Sequence, residues 1–512
     1  MQRAAPAPAT PTPLPAGATS SSASFVKEKE DGGSEEDPYL VRFAAGDLAN
    51  PRNWPTWKKV LTIGCISTNA FIISLMASAY LFVSETAKVQ FDSTTNVATL
   101  GFVLYVMMWG ASGLLLSPLS DQYGRKYVLS GSSLLWTLFH VSAARAANMQ
   151  TLLVCRALAG LTGSASMVLG ASVSVEMFTG INVARGSTLF MLNVFLGPVL
   201  GPCVGGIIAS FAKPIISDDA GWRIVFYIAI VAGTIFTVIY FTIYPESHHA
   251  TILRQRARQL RQQHSDKPYA TEIERQGSIT LVRKLAAVIT TAATMLVSEP
   301  VILFIALWQV VITGVVYSFF DSAVVVYGPG GHNFAPWQIG LTFLGMGVGM
   351  LLASCTCLTL ELMWYVKQTV KRQGSLPPEL RIPPAIIYSC ICFCGLFTFA
   401  GTTSSNKIHW SGPVIASGIF AFGFLNLINS TFLYLVDTFG IRSGSAVAAV
   451  GLVRCVATSA FPLFSTQFYR NVGPQNATII LACVCVAMTA IPPIAYKYGV
   501  VLRGMSKYAI KG

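Results

Sequence analysis

The chain has 512 residues, of which 53% are hydrophobic and 11% charged, with a mean hydropathy of +0.58. A soluble domain carries about 25% charged residues, so this composition excludes an ordinary soluble fold and points to a membrane. The net charge of +13 would suit nucleic acid, but the placement of the basic residues argues against that partner.

Residues 1–50 are rich in Ala, Pro and Ser, then acidic between Glu28 and Asp37. They lack the apolar content to fold and read as a disordered cytoplasmic tail. Apolar stretches follow at 60–82, 97–117, 128–146, 150–173, 187–211 and 222–244, and again at 301–326, 338–361, 384–402, 409–433, 444–466 and 477–497. About 20 apolar residues cross the hydrocarbon as a helix, and lipid leaves backbone groups no other way to pair. The expectation is an all-α membrane protein with 12 transmembrane helices in two six-helix bundles, 51–244 and 300–498. A basic cytoplasmic linker, 245–299, joins them, and 499–512 forms a second cytoplasmic tail. Two such halves with a site between them near the midplane are a common transporter plan.

Most of the 35 Lys and Arg residues fall in the N-terminal tail, the even-numbered connections and the C-terminus. That bias places both termini in the cytoplasm and turns the basic surface toward anionic lipid. Arg254, Arg256, Arg258 and Arg261 read either as an amphipathic helix on that surface or as a solvated linker. The eleven cysteines lie in apolar runs, and Cys390, Cys392 and Cys394, two apart, do not share a helix face. No disulfide framework, metal or other cofactor is expected. No phosphate-binding Gly-Lys-Ser loop and no catalytic set stands out, so neither an ATP-driven pump nor an enzyme is expected.

Four stretches carry mechanism. Between helices 2 and 3 stand Leu119, Asp121, Gly124, Arg125 and Lys126. Gly124 permits a tight turn, and Asp121 can cap a helix or pair with Arg across the two halves, latching the cytoplasmic side. Helix 4 holds Arg156 within an apolar run, a functional position by default or a snorkelling one. Helix 5 carries Gly197, Pro198, Gly201, Pro202, Gly205 and Gly206, a smooth stripe for close helix contact. Helix 7 carries Asp321, a candidate proton carrier, with Tyr317 one turn away. Arg454, near the middle of helix 11, costs about 2.5–3.5 kcal/mol there unless something satisfies it; a structural ion pair and a site role both remain open, with the structural charge favoured.

These motifs resemble those of the major facilitator superfamily. The helix 2–3 segment is similar to the family's loop signature, with Ser117 in place of its leading Gly. The Arg156 segment resembles a motif tied to proton transfer, and the helix 5 segment resembles the antiporter signature, with Thr188 where that pattern has a further Gly. Asn50 to Pro55, Gly221 to Arg223, Tyr244 to Ser247, Tyr434 to Asp437 and Ala460 to Tyr469 resemble fungal twelve-helix drug:proton antiporters, including exporters of cercosporin-type toxins. The resemblance implies a monomeric plasma-membrane exporter of a small hydrophobic toxin, metabolite or drug, exchanging it for protons. It also implies a cavity lined by helices 1, 4, 7 and 10, where Asn69, Gln309, Asn426 and Asn429 would sit among aromatic residues in a roomy space. A polyamine exporter, a nutrient-importing proton symporter and a membrane sensor are the alternatives.

Overall fold

The computed structural model describes residues 39–506 and 508, apart from positions 45, 180, 213–220, 266, 276, 278–279, 366, 369–376 and 405–407. The expected disorder of 1–38 lies outside the described residues. Residues 39–50 differ from that expectation. The Val41 amide donates to the Ala270 carbonyl at 2.9 Å, the Ala270 amide donates to Tyr39 at 2.8 Å, and Asp47 pairs with Arg256 at 2.5 Å. This end of the tail is therefore tied to the linker.

The first half consists of α1 (Thr56–Gln90), α2 (Thr95–Tyr123), α3 (Arg125–Ala144), α4 (Met149–Met177), α5 (Ile181–Phe211) and α6 (Arg223–Thr242). The linker holds α7 (His249–Gln263) and α8 (Leu281–Ser298). The second half consists of α9 (Pro300–Tyr327), α10 (Pro336–Tyr365), α11 (Pro378–Thr402), α12 (Ser411–Phe439), α13 (Ser443–Ser459), α14 (Phe461–Val472) and α15 (Pro474–Gly499). The helices α13 and α14 meet at 44° across a break at Ala460. Pro462 starts the second piece, where its missing N–H leaves no intrahelical bond unmade.

By length and hydropathy, 11 described helices can cross a membrane, or 12 with the bent pair counted as one. That set contains α8, inside a segment expected to be a merely basic linker. Its mean hydropathy is 1.5 over 18 residues, yet Val282 and Val297 are 75% and 86% exposed. One face, through Ala292 and Met295, packs beside α9 and α13, joined by Leu114 of α2. The helix thus lies across the seam between the halves on the side that carries the linker. The set omits α3, whose Ser130, Ser132, Ser133 and Thr137 dilute its hydropathy. Those hydroxyls bond locally or to neighbouring backbone, as Ser130 does to Lys126 and Thr137 to Ser133.

The glycine stripe of α5 decides how the first half packs. A side chain at Gly197 would land on Ser74 and Phe71, one at Gly201 on Ser78 and Leu75, and one at Gly205 on Ala79, all in α1. The opposite face of α5 meets the second half. The Cys203 thiol donates to the Gly340 carbonyl at 3.0 Å, and the Trp337 amide donates to Ser210 at 3.1 Å. Gly206 abuts the Pro336 backbone. On the linker side, Asn429 of α12 donates to Thr188 of α5 at 2.7 Å and to Cys357 of α10 at 2.7 Å. The halves therefore touch on both sides of the membrane.

This packing predicts that Gly201→Ala lowers the midpoint of thermal unfolding in detergent, since overpacking a full core costs about 1–3 kcal/mol. Gly64→Ala, in the same bundle with nothing within 4 Å of the added carbon, is the control and is expected to leave the midpoint unchanged or raised.

Candidate functional site

The loop between α2 and α3 is built around a buried guanidinium. Gly124 turns the chain at φ +97°, and a side chain there would strike the Glu246 carboxylate. That carboxylate accepts from the amides of Arg125 at 2.9 Å and Lys126 at 3.2 Å. It thereby caps the start of α3, where the helix dipole favours negative charge. The Arg125 side chain is 5% exposed. It reaches Glu176, at the end of α4, at 2.7 Å, Asp121 at 3.1 Å and the Ser120 hydroxyl at 2.6 Å. The described partners of Asp121 are Arg125 in its own half and His248 in the linker, so of the two expected arrangements the Arg partner across the halves is not found among the described contacts. His248 approaches Asp121 at 3.8 Å, but burial, with Arg125, His249, Arg254 and Lys284 around it, pushes its pKa down to about 3. The ring is neutral there and makes no ion pair.

The second half repeats this plan. Arg381, at the start of α11, pairs with Asp437, at the end of α12, at 2.9 Å, and lies 3.5 Å over the Tyr365 ring. Tyr365 also donates to Asp437 at 3.3 Å. Arg125 with Glu176 and Arg381 with Asp437 thus hold corresponding corners of the two bundles.

Asp321, Arg156 and Tyr317 are not brought together. Asp321 accepts from Thr466 at 2.7 Å and from Ser465, both in α14. Tyr317 sits edge-on to Phe102 with ring centres 5.3 Å apart and stacks on Phe320; it does not meet Asp321. Arg156 is fully buried in the other half. It donates to the Gly101 carbonyl at 3.1 Å and the Ala77 carbonyl at 3.2 Å, sandwiched 4.5 Å from the Tyr80 ring and 4.4 Å from Tyr105. Its partners are carbonyls and rings of α1 and α2, which excludes the snorkelling alternative in this conformation.

The expected cavity residues pair off. Asn69 donates to Ser166 at 2.7 Å, Gln309 to Thr431 at 2.9 Å, and Asn426 to the Phe422 carbonyl at 3.1 Å, while Asn429 makes the link between halves given above. The expected roomy cavity is closed. At the centre, Trp109, Phe195, Pro198, Tyr317, Phe424 and Arg454 leave about 10 Å³, near the space of one water. Arg454, expected as a structural charge, lines this point with its guanidinium 5.2 Å over Phe195. Its Nε is buried without a hydrogen bond, and none of the described ion pairs involves it. The surfaces meeting at this point are aromatic faces with one cation and the hydroxyl residues Thr313 and Thr458.

Glu176, Glu246, Ser465 and Thr466 were missed as site residues from sequence. Glu176 stands just beyond the helix 4 apolar stretch, and an acid closing both helix 4 and helix 10 was the available signal. Ser465 and Thr466 lie in a run whose resemblance was visible while its purpose was not.

The model of the Major Facilitator Superfamily matches residues 63–462. The chain is 32% identical to the major facilitator superfamily multidrug transporter mdrA of Aspergillus fumigatus, over 94% of this chain and 77% of that one. It is 29% identical to the citrinin biosynthesis cluster transporter mrr1 of Monascus ruber, over 93% of each. Among solved structures, the proton:xylose symporter XylE with a bound bromodeoxyglucose aligns at a TM-score of 0.62 and 14% identity, over 87% of this chain and 96% of that one; this likeness concerns the fold alone. With the two-bundle architecture and its duplicated corners, the chain belongs to the major facilitator superfamily and is a membrane transporter, not an enzyme.

Proposed function

We propose that this transporter exports small hydrophobic molecules, toxic metabolites or drugs, from the cytoplasm across the plasma membrane in exchange for protons. Both termini are cytoplasmic in this reading, and the protein acts as a monomer by alternating access. The observation that carries it is the cradle of Asp321, a carboxylate within a span whose oxygens are met by the hydroxyls of Ser465 and Thr466. A hydroxyl donates to a carboxylate and, after rotating, accepts from a carboxylic acid. The same cradle therefore serves the charged and the neutral form.

The aromatic lining at the centre supports a hydrophobic substrate. The names of the multidrug and citrinin-cluster relatives support the same class. The resemblance of α5 to the antiporter signature supports exchange over symport, and the placement of basic residues supports the orientation.

In the cycle, a proton from outside neutralises Asp321, loosening α9 against α14 and favouring release of the substrate outward. Loss of the proton to the cytoplasm restores the charged cradle. The clusters at Arg125 and Arg381 hold the linker-side corners of each bundle rigid, so that the halves rock as units.

Asp321→Asn keeps the shape and a hydrogen-bonding amide but cannot carry a proton. Cells expressing it are expected to accumulate a hydrophobic toxin as transporter-free cells do, with no response to external pH, while wild type excludes the toxin until an uncoupler is added. Full pH-dependent export by the variant would remove Asp321 from coupling. Separately, Glu176→Ala leaves the buried Arg125 guanidinium with only Asp121 and Ser120 and is expected to cost less than the roughly 3–5 kcal/mol of a fully stranded buried charge, read as a fall in the thermal midpoint of the purified protein. Glu176→Asp is expected to restore part of it.

A further inference from the structure

A cleft lies away from the centre. Its volume is about 710 Å³, and it runs between α2, α3, α4 and the linker helix α7. Its walls are mostly apolar, through Leu116, Leu119, Val128 and Leu135, with Ser132 bonded to the Thr162 carbonyl among them, and its mouth carries Arg254 and Arg258. The cleft descends along α3 as far as Leu135, ten residues from Arg125 and so about 15 Å deeper at the rise of a helix. Tyr123 and Tyr127 stand on its rim, 54% and 60% exposed, the level at which tyrosines sit at a membrane–water interface.

The four arginines of α7 divide into two kinds. Arg256 pairs with Asp47, and Arg261 pairs with Glu274 at 3.0 Å. Arg254 spends one nitrogen on the Gln122 carbonyl at 3.0 Å, and neither it nor Arg258 is among the described ion pairs. These two line the cleft mouth, and no acid contributes to the lining. Lys284 of α8 adds a third positive charge beside them, donating to the Gln122 side chain at 2.7 Å. A basic mouth over an apolar shaft at the depth of a leaflet matches one kind of occupant: an amphiphile with an anionic head and hydrocarbon tails.

We propose that this cleft is a binding site for an anionic phospholipid of the linker-side leaflet. Arg254 and Arg258 hold its phosphate, and its upper acyl chain lies between α2 and α3. The occupant would rest on Gln122, the residue through which both α7 and α8 are tied to α2. The site is independent of the direction of transport and of the central aromatic surface.

The test uses the full-length protein extracted from membranes of phosphatidylcholine mixed with phosphatidylserine, with retained lipids identified by native mass spectrometry. Wild type is expected to retain phosphatidylserine in preference to phosphatidylcholine. Arg254→Gln and Arg258→Gln are each expected to weaken retention about fivefold, the effect of one basic residue at an anionic surface. Gly131 lines the cleft and has nothing within 4 Å of an added carbon, so Gly131→Leu is expected to abolish retention by filling the shaft with both arginines in place. Arg52→Gln, which removes an exposed charge elsewhere, is expected to change nothing. An unchanged thermal midpoint in each variant keeps the comparison to folded protein. Equal retention of the two lipids would overturn the proposal, as would an Arg52→Gln effect equal to that of Arg258→Gln, full retention by Gly131→Leu, or displacement by inorganic phosphate.

Discussion

A guanidinium removed from water must be satisfied by the protein, and in a membrane this requirement shapes everything around it. The protein meets it in three ways. Arg125 and Arg381 are neutralised by carboxylates at the ends of α4 and α12, where burial makes breaking the pair far more costly than its net stabilisation. Arg156 has no carboxylate and is held by two carbonyls between two tyrosine rings, which pins α4 to α1 and α2. Arg454 has the face of Phe195 and the Cys455 thiol, and no carboxylate among the described ion pairs. The first two solutions belong to the rigid interior of a bundle. The third is at the seam between the halves, and its Nε is left without a hydrogen bond, as Nη1 of Arg156 is inside the first half.

The interface between the halves is built without ion pairs among the described contacts. It includes glycines against backbone at Gly206 and Gly340, a thiol–carbonyl bond at Cys203, amide–hydroxyl bonds at Ser210 and Thr188, and aromatic contacts such as Phe102 with Tyr317 and Phe195 with Phe424. Neutral hydrogen bonds contribute about 0.5–1.5 kcal/mol each, so either side can open at modest cost. The charges are kept inside each half, where they stiffen the moving bodies. A strong ion pair across the seam would instead favour one state heavily.

The bundle architecture was legible because lipid enforces it: runs of about 20 apolar residues have one available form, and their number and the basic linker fix the two halves. The stripe from Gly197 to Gly205 was likewise readable, since four-residue spacing puts its members on one face. What escaped was anything set by partners distant in sequence. Asp121 looked like a latch across the halves because its motif names no partner, and the structure pairs it with Arg125, four residues away, in its own half. Asp321 was visible as an acid in an apolar run, but its hydroxyl partners stand 144 and 145 residues later. α8 was hidden because its apolar residues directly follow a charged stretch and directly precede Pro300, so its hydropathy merged with its neighbours.

The closed centre has a consequence for how a hydrophobic molecule could be handled. With only about 10 Å³ between Trp109, Phe195 and Phe424, the described state presents no pocket shaped for one ligand. The lining surfaces are aromatic faces on different helices, α2, α5 and α12, which separate when the halves rock. A pocket made by parting flat apolar faces has dimensions set by how far they part, whereas one built from fixed polar groups has dimensions set in advance. Asn69, Gln309 and Asn426 donate to neighbours in their own half, while the Oδ1 atoms of Asn69 and Asn426 stay unpartnered. Under the proposed export of hydrophobic molecules, size and apolar area would then set selectivity, together with the Arg454 guanidinium and the hydroxyls of Thr313 and Thr458 at the same point.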